Sequence, residues 1–272
     1  MVTQEQRKRQ LAREKFLRQQ QRRTAARRKA RARNSVIASV LGVIVIGSVA
    51  LYTTGVLKDD DKSNASADVT PSASATSKAP DPCAKPAAGK IKTLSWKKEP
   101  TMTIDTSAKY TMKLATTCGD IDIALKTKAA PHTVNSFDFL AAKGYFDHTK
   151  CHRLTTSGIY VLQCGDPTGA GSGGPGYTIP DENLKDTSLK GGIYPAGTIA
   201  MANTGQAHTG GSQFFLVYKD STLPASYTPF GTISASGMKV LNKIAAAGES
   251  TGAGDGAPNA TVVINKATVT KS

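Results

Sequence analysis

Few residues in this chain are equipped for metal or nucleophilic chemistry. Its 272 residues include four histidines and four cysteines. His132, His148, His152 and His208 make up no recognisable metal-site motif with one another or with the cysteines. No metal site and no cofactor are therefore expected. Ser212 lies in GGSQ, outside the strand–nucleophile–helix context that a nucleophilic serine needs. The glycine-rich GAGSGGPGY at 169–177 is not the strand-to-helix junction of a βαβ unit, so it reads as a surface loop. Internal repeats are absent.

Strong charge is also absent from most of the chain, although the net charge is +15. Residues 1–33 hold 13 Lys/Arg and 2 Asp/Glu, which leaves 22 basic and 18 acidic residues for the remainder. The basic character belongs to a tail (1–34) without aromatic interleaving, so no specific nucleic-acid partner is expected. It reads as a topogenic flank attracted to anionic lipid.

Between Asn34 and Leu57 no charged residue occurs. As a helix, residues 35–57 would span roughly 34 Å, enough to cross the hydrocarbon core of a bilayer. The stretch is long for a cleaved signal peptide, even with the small residues Ser48 and Ala50 near its end. We read it as an uncleaved, single-pass signal anchor, with the N-terminus cytoplasmic and the remainder extracytoplasmic. Residues 58–100 open in Ala, Ser, Pro, Asp and Lys and read as a flexible, disordered stalk. Outside the cytoplasm the four cysteines can persist as disulfides.

From about residue 101 to 272 the texture is that of a folded domain. YTMKL and IDIAL alternate apolar and polar residues on either side of ATTCGD, which predicts a β-hairpin. PHTVNSFDFLAAKG predicts a helix from Pro131 to a cap at Gly144, burying Val134, Phe137, Phe139 and Leu140. KCHRLT, GIYVLQCGD, GTIAMAN, SQFFLVY and ATVVINKATVT read as strands, and GMKVLNKIAAAG as a second helix. The class is mainly β, a barrel or sandwich with helical covers. Cys151 and Cys164 flank the turn of a predicted antiparallel pair, which puts them near one another. A bridge is feasible only if their Cα atoms lie within about 7 Å, and Cys83 with Cys118 would then be the remaining pair.

One stretch resists a purely structural reading. NTGQAHTGGSQFF (203–215) sets amides and glycines directly against two phenylalanines. Arg153 sits in a predicted strand among apolar neighbours, and Gln163, Asn203 and Gln213 come from other predicted strands. One guanidinium, several amides and aromatic walls offer donors but no base and no nucleophile. Such a site suits polarisation and positioning of a bound peptide.

FDFLAAKGYFDHTKCHRL, VLQCGD, MANTGQAHTGGSQFF and PFG, in this order, resemble the cyclophilin family of peptidyl-prolyl cis–trans isomerases over roughly 104–270. The whole arrangement is similar to membrane-attached actinobacterial members. The resemblance implies a closed eight-stranded antiparallel barrel capped by two helices, here preceded by a transmembrane helix and a disordered stalk. It implies that Arg153 is catalytic and Gln163 supports it. Tyr160 and Val161 match the proline pocket, Ala202 and Asn203 the edge that pairs with substrate backbone, Gln213 and Phe215 the amide and floor, Leu223 and Tyr227 the rim. The chain departs from the common pattern in two extra residues between Arg153 and Gln163, one in GQAHTGGSQFF, and Thr222 where the best-known members have tryptophan.

The residues fit that chemistry. An X–Pro bond rotates slowly because amide resonance is lost on the way, and the twisted nitrogen regains a lone pair. A rigid, permanently charged guanidinium favours that twisted state over either planar one. The implied partners are proline-containing polypeptides and, through residues 35–57, a lipid bilayer. A non-catalytic proline-peptide-binding module on a membrane stalk is the alternative.

Overall fold

The computed structural model describes residues 80–272. The basic tail, the anchor expected at 35–57 and the stalk up to residue 79 lie outside the described residues. Among those described, no helix is long and apolar enough to cross a membrane.

The expected hairpin is formed by β1 (Tyr110–Thr116) and β2 (Gly119–Leu125), paired from Tyr110↔Leu125 to Thr116↔Gly119. Tyr110, Met112 and Leu114 of β1 alternate into the core, as period two demands. Helix α1 (Pro131–Ala142) starts on Pro131 without a side-chain cap of its own. Glu182, fifty residues away, takes that role: its carboxylate accepts from the Thr133 N–H at 2.9 Å and the His132 N–H at 3.0 Å. A carboxylate there satisfies orphan donors and complements the helix dipole.

The chain continues through β3 (Thr149–Lys150), β4 (Arg153–Thr155), β5 (Val161–Cys164), β6 (Ile193–Tyr194), β7 (Thr198–Met201) and β8 (Phe214–Val217). Then come β9 (Ser221–Thr222), β10 (Pro229–Ile233), helix α2 (Ala235–Ala246), β11 (Asp255–Gly256) and β12 (Val263–Lys271). Ser234 caps α2 by accepting from the Gly237 N–H at 3.0 Å. All strand pairs are antiparallel. The main sheet runs β11-β4-β5-β8-β7-β10-β2-β1-β12-β3, with β6 and β9 paired apart from it.

The mainly β class with two helices stands. The sheet, however, is a curled half-barrel of ten strands with β11 and β3 at its edges, not a ring of eight ladders. Part of the difference is local. β3 and β4 are one run of chain broken at Cys151 and His152, where the backbone leaves one neighbour for another. Cys151 N–H donates to Val262 O at 2.9 Å and His152 N–H to Gln163 O at 3.1 Å. The core inside the curl is aromatic: Phe137 of α1 lies 4.6 Å from Phe230, 5.3 Å from Phe146 and 5.6 Å from Phe214 between ring centroids.

Two sequence expectations need correction. Phe139 is only partly buried; it lies off the face formed by Val134, Phe137 and Leu140, and meets Trp96 edge-on at 5.0 Å. Trp96 belongs to residues 80–100, assigned from composition to the stalk, yet these residues form a strap against the domain. Cys83 is disulfide-bonded to Cys118, Ala84 N–H donates to Thr117 O, Ala87 N–H to Asn265 Oδ1 and Trp96 N–H to Pro175 O. Composition missed this because a strap without helix or strand carries no periodicity.

The strap yields a first prediction. The Cys83–Cys118 bridge closes a 35-residue separation, which in the chain-entropy picture stabilises by about 4 kcal/mol. Replacing both cysteines by serine should lower the melting temperature by roughly 10 °C. It should also release the Ala84 and Trp96 amides to hydrogen exchange while the Leu216 amide stays protected. Unchanged exchange at Ala84 would show that the bridge does not hold the strap.

Candidate functional site

Strand register builds the site. Arg153 of β4 pairs with Gln163 of β5, Gln163 with Phe215 of β8, and Phe215 with Ala200 of β7. Directly paired residues of an antiparallel sheet point to the same face, so these four form one row across four strands. Val161 and Val217, themselves paired, lie two residues along on that face. Leu154, Leu162, Cys164, Phe214, Leu216, Ile199 and Met201 face the opposite way, into the main core. The pair that made 203–215 puzzling thus splits: Phe214 is core, Phe215 is site.

On the site face Val161, Tyr194, Ala200, Phe215 and Val217 form a separate apolar cluster, with Ile159, Leu189, Ala202, Leu223 and Tyr227 partly buried against it. Phe215 is 5% exposed and meets Tyr227 edge-on at 5.4 Å and Tyr194 at 6.3 Å. Tyr194 escaped the sequence reading. Its hydroxyl donates to Tyr227 O at 2.8 Å and accepts from the Tyr227 N–H at 3.2 Å, which ties down the segment carrying Leu223 and Tyr227. The one signal for it was a tyrosine bracketed by glycine and proline in GGIYPAG.

A polar relay flanks the cluster. Arg153 Nη1 donates to Gln163 Oε1 at 3.1 Å, Gln163 Nε2 to Gln213 Oε1 at 2.9 Å, and Gln213 Nε2 to Gly173 O at 2.9 Å. Each bond fixes which end of the next amide faces which way. Gly173 belongs to the glycine-rich loop, and that loop is wound on buried Asp166. The Asp166 carboxylate accepts from the N–H groups of Thr168, Gly171 and Ser172 at 2.6–3.0 Å. Burial opposes ionisation of Asp166, but hydrogen bonding from Gly173, Thr168 and Gly171 prevails and holds its pKa below the usual carboxylate value.

Arg153 has a second partner that the sequence reading missed. Its Nε and Nη2 donate to Asp255 Oδ1 and Oδ2 at 2.7 and 2.8 Å, a bidentate pair. The hydrogen-bonded pair raises the Arg153 pKa and lowers that of Asp255, so both stay charged throughout the neutral range. Beyond the amides lies a cavity of about 890 Å³, lined by Gln163, Gln213, Ala202, Asn203, the glycine-rich loop and Lys97, Lys98 and Glu99 of the strap.

The other residues singled out from sequence fall as follows. Val161, Phe215, Leu223, Tyr227 and Ala202 come together in or against the apolar cluster. Asn203 stands beside the cavity, but its side chain is engaged locally: Nδ2 donates to Ser226 O at 2.8 Å, and Oδ1 accepts from the Gly205 N–H at 2.9 Å. Tyr160 is not brought into the cluster. It packs on Tyr218 at 5.9 Å beneath Lys219, while Ile159, two residues from Val161, takes the site face. Period-two alternation is the reason, and the two extra residues before Gln163 hid it. Cys151 and Cys164 are disulfide-bonded, with Cα atoms 4.1 Å apart. Ser212 is buried, donating to Gly165 O at 2.7 Å and bonding the Tyr145 hydroxyl at 3.0 Å.

The family profile described as "Cyclophilin type peptidyl-prolyl cis-trans isomerase/CLD" matches residues 111–269. A "Probable peptidyl-prolyl cis-trans isomerase B" of Mycobacterium leprae is 47% identical over 195 residues, covering 69% of this chain and 62% of that protein. Its namesake in Mycobacterium tuberculosis is 49% identical over 165 residues, covering 58% of this chain and 53% of that protein. This chain thus spans little more than half the length of these relatives. A cyclophilin type peptidyl-prolyl cis-trans isomerase of Cryptosporidium parvum aligns in structure with a TM-score of 0.49 at 26% identity, over 60% of this chain and 99% of that one. With the profile matched over more than half of its length, the chain belongs to the cyclophilin-type peptidyl-prolyl cis–trans isomerase family.

Proposed function

We propose that the protein accelerates cis–trans rotation about X–Pro bonds in extracytoplasmic polypeptides and so aids their folding. The observation that carries this reading is the row Arg153–Gln163–Phe215, which sets an oriented guanidinium beside an apolar cluster. The apolar cluster of Phe215, Val161, Ala200 and Tyr227 offers the surface that suits a proline ring. Arg153 has five N–H donors, and three are held by Asp255 and Gln163. Two remain for the substrate, and one aimed at the pyramidal nitrogen lowers the barrier without any proton transfer. The test is protease-coupled proline isomerisation by the full chain; no acceleration over the uncatalysed rate overturns the proposal.

The cavity beside the amides suits residues flanking the proline, and Lys97 and Lys98 on its wall favour acidic ones. An acidic flanking residue should raise kcat/KM over a lysine by about threefold to tenfold at low salt, with the preference fading at high salt. Lys97→Glu with Lys98→Glu should reverse it. A preference indifferent to salt and to both substitutions would place its origin elsewhere.

The extracytoplasmic setting rests on the 23 uncharged residues 35–57 and the thirteen basic residues before them. In intact cells an impermeant thiol reagent should label Ala170→Cys but reach Gln20→Cys only after lysis. Labelling of Gln20→Cys without lysis overturns this topology.

A further inference from the structure

We infer that Asp255 is a positioning residue for the reaction, holding the Arg153 guanidinium in the orientation that faces the proline nitrogen. The inference rests on the reading of Arg153 given above and extends it to a residue outside the row. Asp255 takes the Nε and Nη2 edge of the guanidinium, at 2.7 and 2.8 Å, while Gln163 takes one hydrogen of Nη1. These two partners fix both the plane of the fork and its rotation within that plane. The remaining hydrogens, one on Nη1 and one on Nη2, then point in a set direction.

The segment that delivers Asp255 is itself built. β11 pairs with β4 so that Asp255 stands opposite Thr155 and Gly256 opposite Leu154, two residues and one residue from Arg153. Glu249, 8% exposed, winds the preceding turn by accepting from the Thr251 N–H at 2.6 Å, the Thr251 hydroxyl at 2.7 Å and the Gly254 N–H at 2.8 Å. Thr156 N–H donates to Gly254 O at 2.9 Å. Gly254 has φ +90°, and a Cβ there would lie 2.5 Å from that of Ser157, so only glycine lets the turn approach the β4–β5 loop this closely.

Stability does not account for the arrangement. The Arg153 and Asp255 side chains are 38% and 55% exposed, and ion pairs that open to solvent contribute little. What such a pair does supply is order. A long arginine half open to solvent samples many rotamers, and a bidentate carboxylate selects one. For a donor that has to meet a lone pair as it forms, selection of one geometry acts on the rate more than on affinity.

The experiment is a double-mutant cycle in the full chain, with kcat and KM read for a proline peptide. Asp255→Ala should lower kcat about tenfold with KM within about twofold, and Asp255→Asn, which keeps one acceptor and the shape, should fall between. In an Arg153→Ala background Asp255→Ala should change nothing further. Hydrogen exchange of the Arg153 Nε–H, followed by NMR, should quicken in Asp255→Ala. If Arg153→Ala is slow but Asp255→Ala retains full kcat, or lowers it equally with and without Arg153, the positioning role is wrong while the isomerase reading stands. If Arg153→Ala itself has no effect, the roles of Arg153 and Asp255 fall together, and the isomerase reading is judged by the turnover of the unsubstituted chain. Should Asp255→Ala fail to fold, Asp255→Asn and the Nε–H exchange decide the question.

Discussion

Arg153→Ala is expected to slow turnover of a proline peptide by about 10²–10³ while changing peptide affinity several-fold at most. Losing one preorganised donor to developing charge typically costs a few kcal/mol of barrier. Arg153 is 38% exposed, so water replaces part of its field and the lower end of that range is the better figure. Affinity should survive because the apolar cluster is formed by other residues. Folding should survive too, since Asp255 is more than half exposed and can be solvated once its partner is gone. Arg153→Lys should not restore the rate. An ammonium is a point donor and cannot hold Asp255 with two bonds while reaching Gln163 and the substrate. Turnover and peptide affinity measured on the same folded preparations check this. Wild-type turnover in Arg153→Ala would show that the guanidinium does not carry the reaction, and no turnover in the unsubstituted chain would leave a proline-binding module as the reading of the site.

Phe215→Ala should show a different signature, loss of binding and turnover together. Phe215 is almost fully buried between Tyr194 and Tyr227. Truncating a phenylalanine in such a setting typically costs about 3–5 kcal/mol through lost contacts and the cavity left behind. Part of that cost appears as lower stability and part as lost apolar contact for the peptide. Its neighbour supplies the control. Phe214 lies on the other face of β8 against Phe137 and Phe146, so Phe214→Leu should lower the melting temperature yet leave KM unchanged. Melting temperature and peptide titration for both variants decide it. If Phe214→Leu alters KM as much as Phe215→Ala does, the two faces are not separate as the register places them.

The difference between these adjacent phenylalanines shows how far residue patterns reach. The hairpin of β1 and β2, the start of α1 at Pro131 and its end before Gly144 are local events. They are set by alternation, by a fixed proline φ and by a glycine at φ +66°, and each is legible in a dozen residues. Arg153, Gln163, Gln213 and Phe215 were legible as a group because a guanidinium and amides among apolar strands have few structural uses. Tyr160 was misplaced because a shift of one residue along β5 exchanges faces, and an irregular turn conceals that shift. Tyr194 and Asp255 were missed because their roles depend on distant partners: Tyr194 on the segment ending at Tyr227, and Asp255 on a guanidinium 102 residues earlier.

The sequence by itself determined the kinds of secondary structure, the family resemblance and the chemical character of the site. Those follow from side-chain periodicity, backbone restriction at glycine and proline, and the intrinsic charge of arginine. Tertiary structure alone decided which face each strand residue occupies, that residues 80–100 close over the domain, and which donors of Arg153 remain free. These outcomes depend on register and on pairing between residues far apart in the chain. No local pattern encodes such pairing, because it is settled only when strands meet and bury their common face.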